Sequence, residues 1–158
     1  MPNDNIVLLS IGSNLGNKEF YLNNSIDQIQ KNPSINILKV SKFIETAPLE
    51  IVDQPNFLNA IVKISTILTP LILLDYLQGL EIEIGRIKRY DKGPREIDID
   101  ILTYGNQTFS SERLTIPHHS LYSRSFIKDI LNSISELSIY EILNKGNIDE
   151  NNYSIFSK

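Results

Sequence analysis

The sequence predicts an α+β protein with an antiparallel sheet whose helices cover one face. Two observations lead to this fold class. The chain has 158 residues, of which 41% are hydrophobic, and a chain of this size buries roughly 70% of its unfolded surface in one core. Its apolar residues switch between strand-like and helix-like spacing in the order β-α-β-β-α-β, which is typical of a split sheet with both helices on one side.

The first half of the chain predicts a strand, a helix and a second strand. Residues 6–11 form a short apolar run that stops at Gly12, which indicates a buried strand. Apolar residues then recur at helical spacing over 22–29, and Pro33 ends this helix. Residues 35–44 are rich in branched side chains and predict the second strand.

The second half repeats the pattern after an irregular loop. Residues 46–56 contain two prolines and predict this loop, and residues 57–67 predict the third strand. Pro70 suits the first turn of a helix in which one apolar stripe is formed by Leu73, Leu77, Leu80 and Ile84. Residues 97–104 predict the last strand of the core.

After the last core strand, the spacing of apolar residues predicts secondary structure less clearly. Residues 123–131 and 138–143 have helical spacing, and the polar residues 147–158 predict a tail or a linker to a further enzyme. We therefore expect a single ferredoxin-like domain over residues 1–158, with a βαββαβ core and additional C-terminal helices.

Charge and composition narrow the class of partner. Lys and Arg number 15 against 19 Asp and Glu, giving a net charge of −4, so the overall field does not attract nucleic acid or anionic membrane. Cysteine is absent, which excludes disulfides and thiolate zinc sites and favours a reducing cytoplasm. The most apolar stretch, residues 61–77, contains Lys63, Pro70 and Asp75, so we expect no membrane span.

The alternation Ile-Asp-Ile-Asp-Ile at residues 97–101 is the most informative local pattern. Side chains alternate along a strand, so Asp98 and Asp100 are expected on one face. Two neighbouring carboxylates repel each other, and Mg²⁺, which prefers oxygen ligands and substrate phosphates, would relieve that repulsion. A strand with one solvated polar face is the alternative, and the motif alone leaves both interpretations open.

A cluster of cations precedes this strand. Five of the 15 basic residues lie in the loop over residues 86–95, namely Arg86, Lys88, Arg89, Lys92 and Arg95. Cations beside a carboxylate pair favour a site for a polyphosphate with its metal. A solvated surface loop remains the alternative for each residue taken alone. Because the cations repel one another, we expect the loop to be mobile until phosphate binds.

Other common nucleotide and metal motifs are absent or incomplete in this chain. No P-loop or G-x-G-x-x-G pattern occurs, and the adjacent His118 and His119 do not suit one zinc ion. Phe57 and Asn59, which follow the irregular loop, suit a flat heterocycle through stacking and amide hydrogen bonds. A place in the core is the alternative for Phe57.

Six segments, taken in order, resemble one enzyme family. They are Gly-Ser-Asn-Leu-Gly at 12–16, Thr-Ala-Pro at 46–48, Asp-Gln-Pro-Asn-Phe-Leu-Asn-Ala at 53–60, Gly-Arg at 85–86, Gly-Pro-Arg-Glu-Ile-Asp-Ile-Asp-Ile at 93–101 and Arg-Leu-Thr-Ile-Pro-His at 113–118. This set is similar to the 6-hydroxymethyl-7,8-dihydropterin pyrophosphokinase family (HPPK) of folate biosynthesis, over residues 6–126.

The resemblance implies a ferredoxin-like fold and an activity. The β,γ-pyrophosphoryl group of ATP would move to the hydroxymethyl oxygen of the pterin, with release of AMP. Two Mg²⁺ ions bound with ATP would be held by Asp98 and Asp100, and a fusion to dihydropteroate synthase would be possible. The alternative to an enzyme is a ferredoxin-like small-molecule-binding or RNA-binding module without catalysis. The net negative charge and the Asp pair argue against RNA binding.

The resemblance also implies roles for individual residues. Catalytic roles would belong to Arg86, Arg95, Asp98 and Asp100. The ATP site would comprise Gln78 and Glu81 on the exposed face of the second helix, with Lys88, Arg89, Arg95, Ile101, Arg113, Thr115, His118, His119 and Arg124. The pterin site would comprise Gly12, Thr46, Ala47, Pro48, Leu49, Phe57, Asn59 and Phe126, with the pterin ring stacked between the two phenylalanines. The chain departs from many relatives at Lys92, where Trp is usual, and at His119, where Tyr is frequent.

Overall fold

Five antiparallel strands form the main sheet, as seen in a computed structural model that describes residues 4–48, 51–123, 127–129 and 131. The elements are β1 (Asn5–Ser13), α1 (Lys18–Lys31), β2 (Ile35–Val40), β3 (Ile44–Thr46), β4 (Phe57–Thr66), α2 (Pro70–Ile84), β5 (Asp98–Tyr104), β6 (Phe109–Ser110), β7 (Thr115–Ile116) and α3 (Ser120–Ser123). The sheet order is β2-β4-β1-β5, β3 also pairs with β4, and every pairing is antiparallel. The predicted α+β class with an antiparallel sheet is confirmed.

The predicted single strand over residues 35–44 is wrong, because it is divided into β2 and β3. Ser41 lies between them and bonds β4 with both its backbone and its side chain. Its N–H donates to the Ile61 carbonyl at 2.9 Å, and its Oγ accepts from the Ile61 N–H at 2.9 Å. A hydroxyl therefore replaces a backbone acceptor at this point, and the regular ladder is interrupted.

α1 ends where the sequence indicates but begins at Lys18, four residues before the predicted helical spacing over 22–29, and α2 begins at Pro70 as predicted. Asn17 caps α1 by accepting from the Phe20 N–H at 3.0 Å, and Asn32 follows its last residue. Pro70 is the first residue of α2, and Gly85 ends this helix with φ of 128°, a conformation that favours glycine.

The helices pack on one face of the sheet. The core contains Val7, Leu9 and Ile11 of β1 together with buried leucines of α2 and isoleucines of β5. Because side chains alternate along a strand, Ser10 and Gly12 of β1 lie on the opposite face. That face carries the candidate site.

The last described segments lie beside β5. The short strands β6 and β7 pair with each other, and the His118 N–H donates to the Leu102 carbonyl of β5 at 2.9 Å. Residues 127–129 and 131 are helical. The rest of the predicted helices over 123–131 and 138–143, and the tail over 147–158, lie outside the described residues. Within the part of the chain that the structure describes, no helix combines the length and apolar character needed to cross a membrane.

Candidate active site

The predicted carboxylate pair lies on the sheet face opposite the helices. In the antiparallel pairing of β1 with β5, Asp98 lies opposite Gly12 and Asp100 lies opposite Ser10. The neighbouring side chains are small or absent, so space remains in front of both carboxylates. The site therefore depends on the register between these two strands as much as on the Asp residues themselves.

Two cavities meet at this pair. The first has a volume of about 320 Å³, and the second has a volume of about 370 Å³. Both are lined by Arg86, Asp98, Asp100, His118 and His119. The carboxylates thus lie at the boundary between two spaces that two different ligands could occupy.

The predicted site residues divide between these cavities. The first is also lined by Gly12, Pro48, Phe57, Asn59 and Arg95. The second is also lined by Gln78, Glu81, Ile101, Arg113 and Thr115. The family resemblance implies a pterin contact for most of the first set and an ATP contact for the second set. Leu49, Arg124 and Phe126 lie outside the described residues.

Two arginines contact Asp98. Arg86 Nη1 lies 3.1 Å from Asp98 Oδ1, and Arg95 Nε lies 3.4 Å from Asp98 Oδ2. Arg86 Nη1 also lies 3.0 Å from Glu81 Oε2. The negative charge of Asp98 is therefore compensated by Arg86 and Arg95, which lie at the two ends of the basic loop over residues 86–95.

The negative charge of the Asp100 carboxylate is compensated less well than that of Asp98. Asp100 lines both cavities with 38% of its side chain exposed, and His118 Nε2 is 3.9 Å from its Oδ1. Loss of hydration raises the pKa of Asp100 well above its usual range, and the charges of Asp98 and Glu81 raise it further. The site therefore favours an added positive charge next to Asp100.

The donor set fits a hard divalent cation. Asp98 and Asp100 offer carboxylate oxygens on one face, which is the ligand type that Mg²⁺ prefers. Among the described residues, no group of three or more Asp, Glu, His or Cys side chains is arranged to hold a metal ion. Two carboxylates completed by phosphate oxygens and water are the usual arrangement for Mg²⁺, so the residues present suit a metal that arrives with a polyphosphate.

Glu81 lies differently from the prediction, which put it on an exposed helix face. Its side chain is buried because α2 packs this face against β5, and its Oε2 accepts from the Ile99 N–H at 2.7 Å. Burial raises the pKa of Glu81 to about 7, with a smaller contribution from Asp98, although the bond from Ile99 opposes the shift. Glu81 thus holds β5 and Arg86 in place at the edge of the second cavity.

The cations of the basic loop are not all directed at the cavities. Arg89 donates to both carboxylate oxygens of Glu96 at 2.8 Å, and Glu96 also accepts from the Ile87 N–H at 3.3 Å. Neither Lys88 nor Arg89 lines the two cavities, whereas Lys92 lines the first. The structure therefore separates Lys88 and Arg89 from the other predicted phosphate contacts.

Arg113 is held against the second helix. Its Nη2 donates to Gln78 Oε1 at 3.1 Å, and it also pairs with Asp75. Gln78 is exposed, as predicted. Arg113 and Gln78 line the second cavity together with Ile101 and Thr115.

An aromatic ring and an amide, those of Phe57 and Asn59, line the first cavity. Only 6% of Phe57 is exposed, and the Arg95 guanidinium lies 4.7 Å from its ring centroid. Asn59 Nδ2 donates to Thr46 Oγ1 at 2.7 Å. A Cβ at Gly12 would lie 2.9 Å from Asn59 Oδ1, so only glycine leaves this amide undisturbed. Thr46 and Ala47 do not line the cavity, and Thr46 acts on it through Asn59.

Sequence reasoning assigned no role to Asn14 or Gln54. The structure buries Asn14 at the end of β1 and places Gln54 in the wall of the first cavity. Their only signal in the sequence was their position inside two of the six segments that carry the resemblance.

Comparisons with known proteins identify the family to which the chain belongs. The family described as 7,8-dihydro-6-hydroxymethylpterin-pyrophosphokinase (HPPK) matches residues 8–136. The chain is 37% identical over 124 residues to a 2-amino-4-hydroxy-6-hydroxymethyldihydropteridine pyrophosphokinase of Bacillus subtilis, covering 78% of this chain and 74% of the relative. It is 40% identical over 119 residues to the protein of the same name from Haemophilus influenzae, covering 75% and 74% respectively.

Other relatives are longer than this chain. The bifunctional protein FolKE of Lactococcus lactis subsp. cremoris is 42% identical over 75% of this chain, which spans 34% of the relative. A Plasmodium falciparum HPPK-DHPS crystal structure with pteroate superposes with a TM-score of 0.66 at 17% identity, covering 90% of this chain and 42% of that one. This likeness shows the fold alone. From the family match and the two relatives of similar length, the chain belongs to the HPPK family.

Proposed function

We propose that this chain transfers the β,γ-pyrophosphoryl group of ATP to the hydroxymethyl oxygen of 6-hydroxymethyl-7,8-dihydropterin, releasing AMP. One structural observation supports this activity in addition to family membership. Asp98 and Asp100 lie at the junction of two cavities, and Arg86 and Arg95 lie beside them. A group transfer between two bound substrates needs this arrangement, with charge compensation concentrated where the phosphates pass from one ligand to the other.

The second cavity is the proposed ATP site. Ile101 and Thr115 would receive the adenine, Gln78 and Glu81 would lie along the nucleotide, and Arg113 would approach it from the other side. His118 and His119 line both cavities, which suits contacts to phosphates at the junction. Lys88 and Arg89 would contact phosphate only after the loop rearranges, because Arg89 is bound to Glu96.

The first cavity is the proposed pterin site. Asn59 offers an amide to the edge of a flat heterocycle, and Gly12 and Pro48 shape the space around it. Stacking of the pterin on Phe57 requires the Arg95 guanidinium to leave the ring. Leu49 and Phe126 are proposed to complete this site on the basis of the resemblance.

Asp98 and Asp100 are the proposed ligands of two Mg²⁺ ions that enter with ATP. Such ions neutralise charge on the phosphate oxygens and orient the polyphosphate. The raised pKa of Asp100 supports this assignment, because it reflects lost hydration and the nearby acidic charges of Asp98 and Glu81.

The protein groups stabilise the charge that develops during transfer. The oxygen of the pterin hydroxyl attacks the β-phosphorus and loses its proton to solvent, while the bond from that phosphorus to the oxygen of the departing AMP breaks. Negative charge grows on the phosphate oxygens and on that leaving oxygen. The guanidinium groups of Arg86 and Arg95 lie where they can donate to these oxygens, and the buried Arg95 Nε makes no hydrogen bond among the described residues.

The same proposal includes a ferredoxin-like arrangement of the fold, a possible fusion to a second enzyme and a cytoplasmic location. The order β2-β4-β1-β5, with α1 and α2 on one face, supports a ferredoxin-like arrangement. The names of FolKE and of the HPPK-DHPS structure support the possibility of fusion to a second folate enzyme such as dihydropteroate synthase. The absence of cysteine favours a cytoplasmic location.

Product analysis tests the activity. The protein is incubated with ATP, Mg²⁺ and reduced 6-hydroxymethylpterin, and AMP and pterin diphosphate are quantified. Equal amounts of the two products are expected, with neither formed when the pterin is omitted. Binding of both ligands without AMP would instead indicate a non-catalytic binding module.

A further inference from the structure

Glu112 adds an acidic side chain to the second cavity, beyond the residues of the predicted ATP site. It lines the second cavity but not the first, whereas Asp98 and Asp100 line both. Its side chain is exposed, and within the described part of the chain its carboxylate forms neither a hydrogen bond nor an ion pair. A carboxylate with unused lone pairs in a cavity favours a ligand that donates hydrogen bonds.

A tight turn fixes the backbone at Glu112. This turn joins β6 to β7 over residues 111–114. The Ser111 N–H donates to the Leu114 carbonyl at 2.9 Å, and the Leu114 N–H donates to Ser111 Oγ at 3.3 Å. Leu114 is only 6% exposed and belongs to the hydrophobic core. Glu112 is therefore held at the cavity wall by an anchored turn, and little ordering is needed when a ligand binds there.

The adjacent cation does not neutralise Glu112. Arg113 pairs with Asp75 and donates to Gln78 Oε1 at 3.1 Å, and both partners lie on α2. The positive charge next to Glu112 in the sequence is thus used to hold the turn against the helix.

Glu81 is the other carboxylate that lines the second cavity alone, and it is already engaged. It is 8% exposed, and its Oε2 accepts from the Ile99 N–H at 2.7 Å and from Arg86 Nη1 at 3.0 Å. Among the carboxylates of the described residues that line only this cavity, Glu112 therefore keeps both oxygens for a ligand.

The chemistry of ATP determines which of its parts suits Glu112. Phosphates would be repelled by a carboxylate, and the groups that compensate their charge lie where both cavities meet. Leu74 and Ile101 line the second cavity as apolar side chains and suit the flat base. The ribose carries two neighbouring hydroxyl donors, and the two oxygens of one carboxylate can accept from both.

We propose that Glu112 accepts hydrogen bonds from the 2′ and 3′ hydroxyls of the ribose, so that the protein selects ribonucleoside over deoxyribonucleoside triphosphates. This inference rests on the proposed function, because it takes the second cavity as the nucleotide site. The hydroxyls are unchanged during the transfer, so the contact should strengthen nucleotide binding and leave kcat unaffected.

The experiment measures the dissociation constants of ATP and 2′-deoxy-ATP by calorimetric titration with Mg²⁺ and without pterin, so that no transfer occurs. The parent protein should bind ATP roughly tenfold more tightly, which corresponds to one charge-assisted hydrogen bond at an exposed side chain. In Glu112→Ala this ratio should fall close to one, because ATP loses more affinity than 2′-deoxy-ATP does. Glu112→Gln, which keeps one acceptor oxygen, should give an intermediate ratio.

Glu83→Ala is the matched control. Glu83 is an exposed acid on α2 that lines neither cavity, and its removal changes the net charge by the same amount. This variant should keep the parent's ratio. Glu112→Ala should also keep the parent's Tm and its kcat at saturating ATP, with a raised KM for ATP. A lower Tm with equal losses for both nucleotides would show a structural role and overturn the inference.

Inosine triphosphate separates a ribose contact from a base contact. It keeps the ribose and replaces the amino group of adenine with a carbonyl, so the ratio of its affinity to that of ATP should be the same in the parent and in Glu112→Ala. A change in this ratio, with the deoxy ratio unaffected, would place Glu112 at the base and overturn the ribose assignment.

The outcomes also separate this inference from the proposed function. A parent protein that forms AMP but binds both ATP and 2′-deoxy-ATP equally, or a Glu112→Ala variant that keeps the parent's ratio, overturns the inference alone. Discrimination that depends on Glu112, in a parent protein that forms no AMP, overturns the transfer reaction and supports the ribose contact. A parent protein that neither binds nucleotide nor forms AMP overturns both.

Discussion

The two carboxylates of the site differ in what compensates their charge. Asp98 lies within 3.4 Å of both Arg86 and Arg95. Asp100 faces only His118, at 3.9 Å, among the ion pairs of the described residues. Loss of hydration and the neighbouring acids raise the pKa of Asp100. Replacing each carboxylate should therefore affect stability in opposite directions.

We expect both Asp98→Asn and Asp100→Asn to lower the rate of AMP formation by roughly 100- to 1,000-fold, because phosphate charge is no longer compensated. In metal-free buffer, urea denaturation should show that Asp100→Asn keeps or gains stability, because a like-charge repulsion is removed. Asp98→Asn should lose about 1 kcal/mol, since its arginine partners are partly screened by water. Retained activity together with a large loss of stability would indicate a structural pair.

Gly12 is a second residue at which the structure predicts how a substitution changes the binding of one ligand. In Gly12→Ala, the new Cβ would lie 2.9 Å from Asn59 Oδ1, and Asn59 is held by Thr46. We expect pterin affinity to fall roughly tenfold, equivalent to one lost hydrogen bond, with ATP affinity unchanged in direct titrations.

Gly79→Ala is the matched control for this substitution. A Cβ at Gly79 would meet nothing within 4 Å, and the position lies inside α2. It should stabilise the protein by roughly 1 kcal/mol through helix propensity and leave both affinities unchanged. Unchanged pterin binding in Gly12→Ala would mean that Asn59 does not face the ligand.

At the scale of elements, the basic loop over residues 86–95 is anchored more firmly than its charge suggests. Arg89 pairs with Glu96, which reduces the repulsion between Arg89 and the other cations of the loop. The Gly93 N–H also donates to the Tyr90 carbonyl at 3.1 Å. The expectation that this loop orders only with phosphate remains a prediction, and the contact between Arg89 and Glu96 is the one that phosphate must compete with.

The contact between Arg89 and Glu96 has a predictable pH dependence. Hydrogen bonds from Arg89 lower the pKa of Glu96 to about 2, against an ordinary value of 4.5. The unfolded chain therefore binds the proton more readily, so the contact stabilises the fold fully above about pH 4.5 and is lost as the pH falls towards 2. Glu96→Gln should lower the free energy of unfolding by roughly 1–2 kcal/mol at pH 7. In urea denaturation at a series of pH values this difference should shrink below pH 4.5, and a constant difference would contradict the assignment.

At the scale of the whole molecule, the site connects elements that are distant in sequence. β1, β5, the end of α2 and two loops all contribute to the cavities. A ligand that binds there joins these elements and should stabilise the whole fold by mass action.

We expect Mg²⁺ with a nonhydrolysable ATP analogue, at about 100 times its Kd, to add about 2.7 kcal/mol of stability. For a chain of this size that corresponds to a rise of roughly 5–10 °C in Tm. The rise should disappear with EDTA and in Asp100→Asn, as followed by differential scanning calorimetry. An equal rise in EDTA would show that the nucleotide binds without the carboxylate pair and its metal.

The sequence by itself determined the features that depend on local spacing. Alternation along residues 97–101 placed Asp98 and Asp100 on one face, and helical spacing identified α1 and α2, although not the start of α1. Strand and helix periods are properties of a few consecutive residues, so they can be read without knowledge of the rest of the chain. The six segments that resemble HPPK added the identity of the chemistry.

Only the tertiary structure decided which distant groups meet. The division of residues 35–44 at Ser41, the burial of Glu81 against β5 and the pairing of Arg89 with Glu96 all depend on packing or loop geometry. Asn14 contacts Gln54 and Arg95, which are 40 and 81 positions away. Such contacts depend on sheet register and loop closure, which arise from the whole chain at once, so no local pattern in the sequence records them.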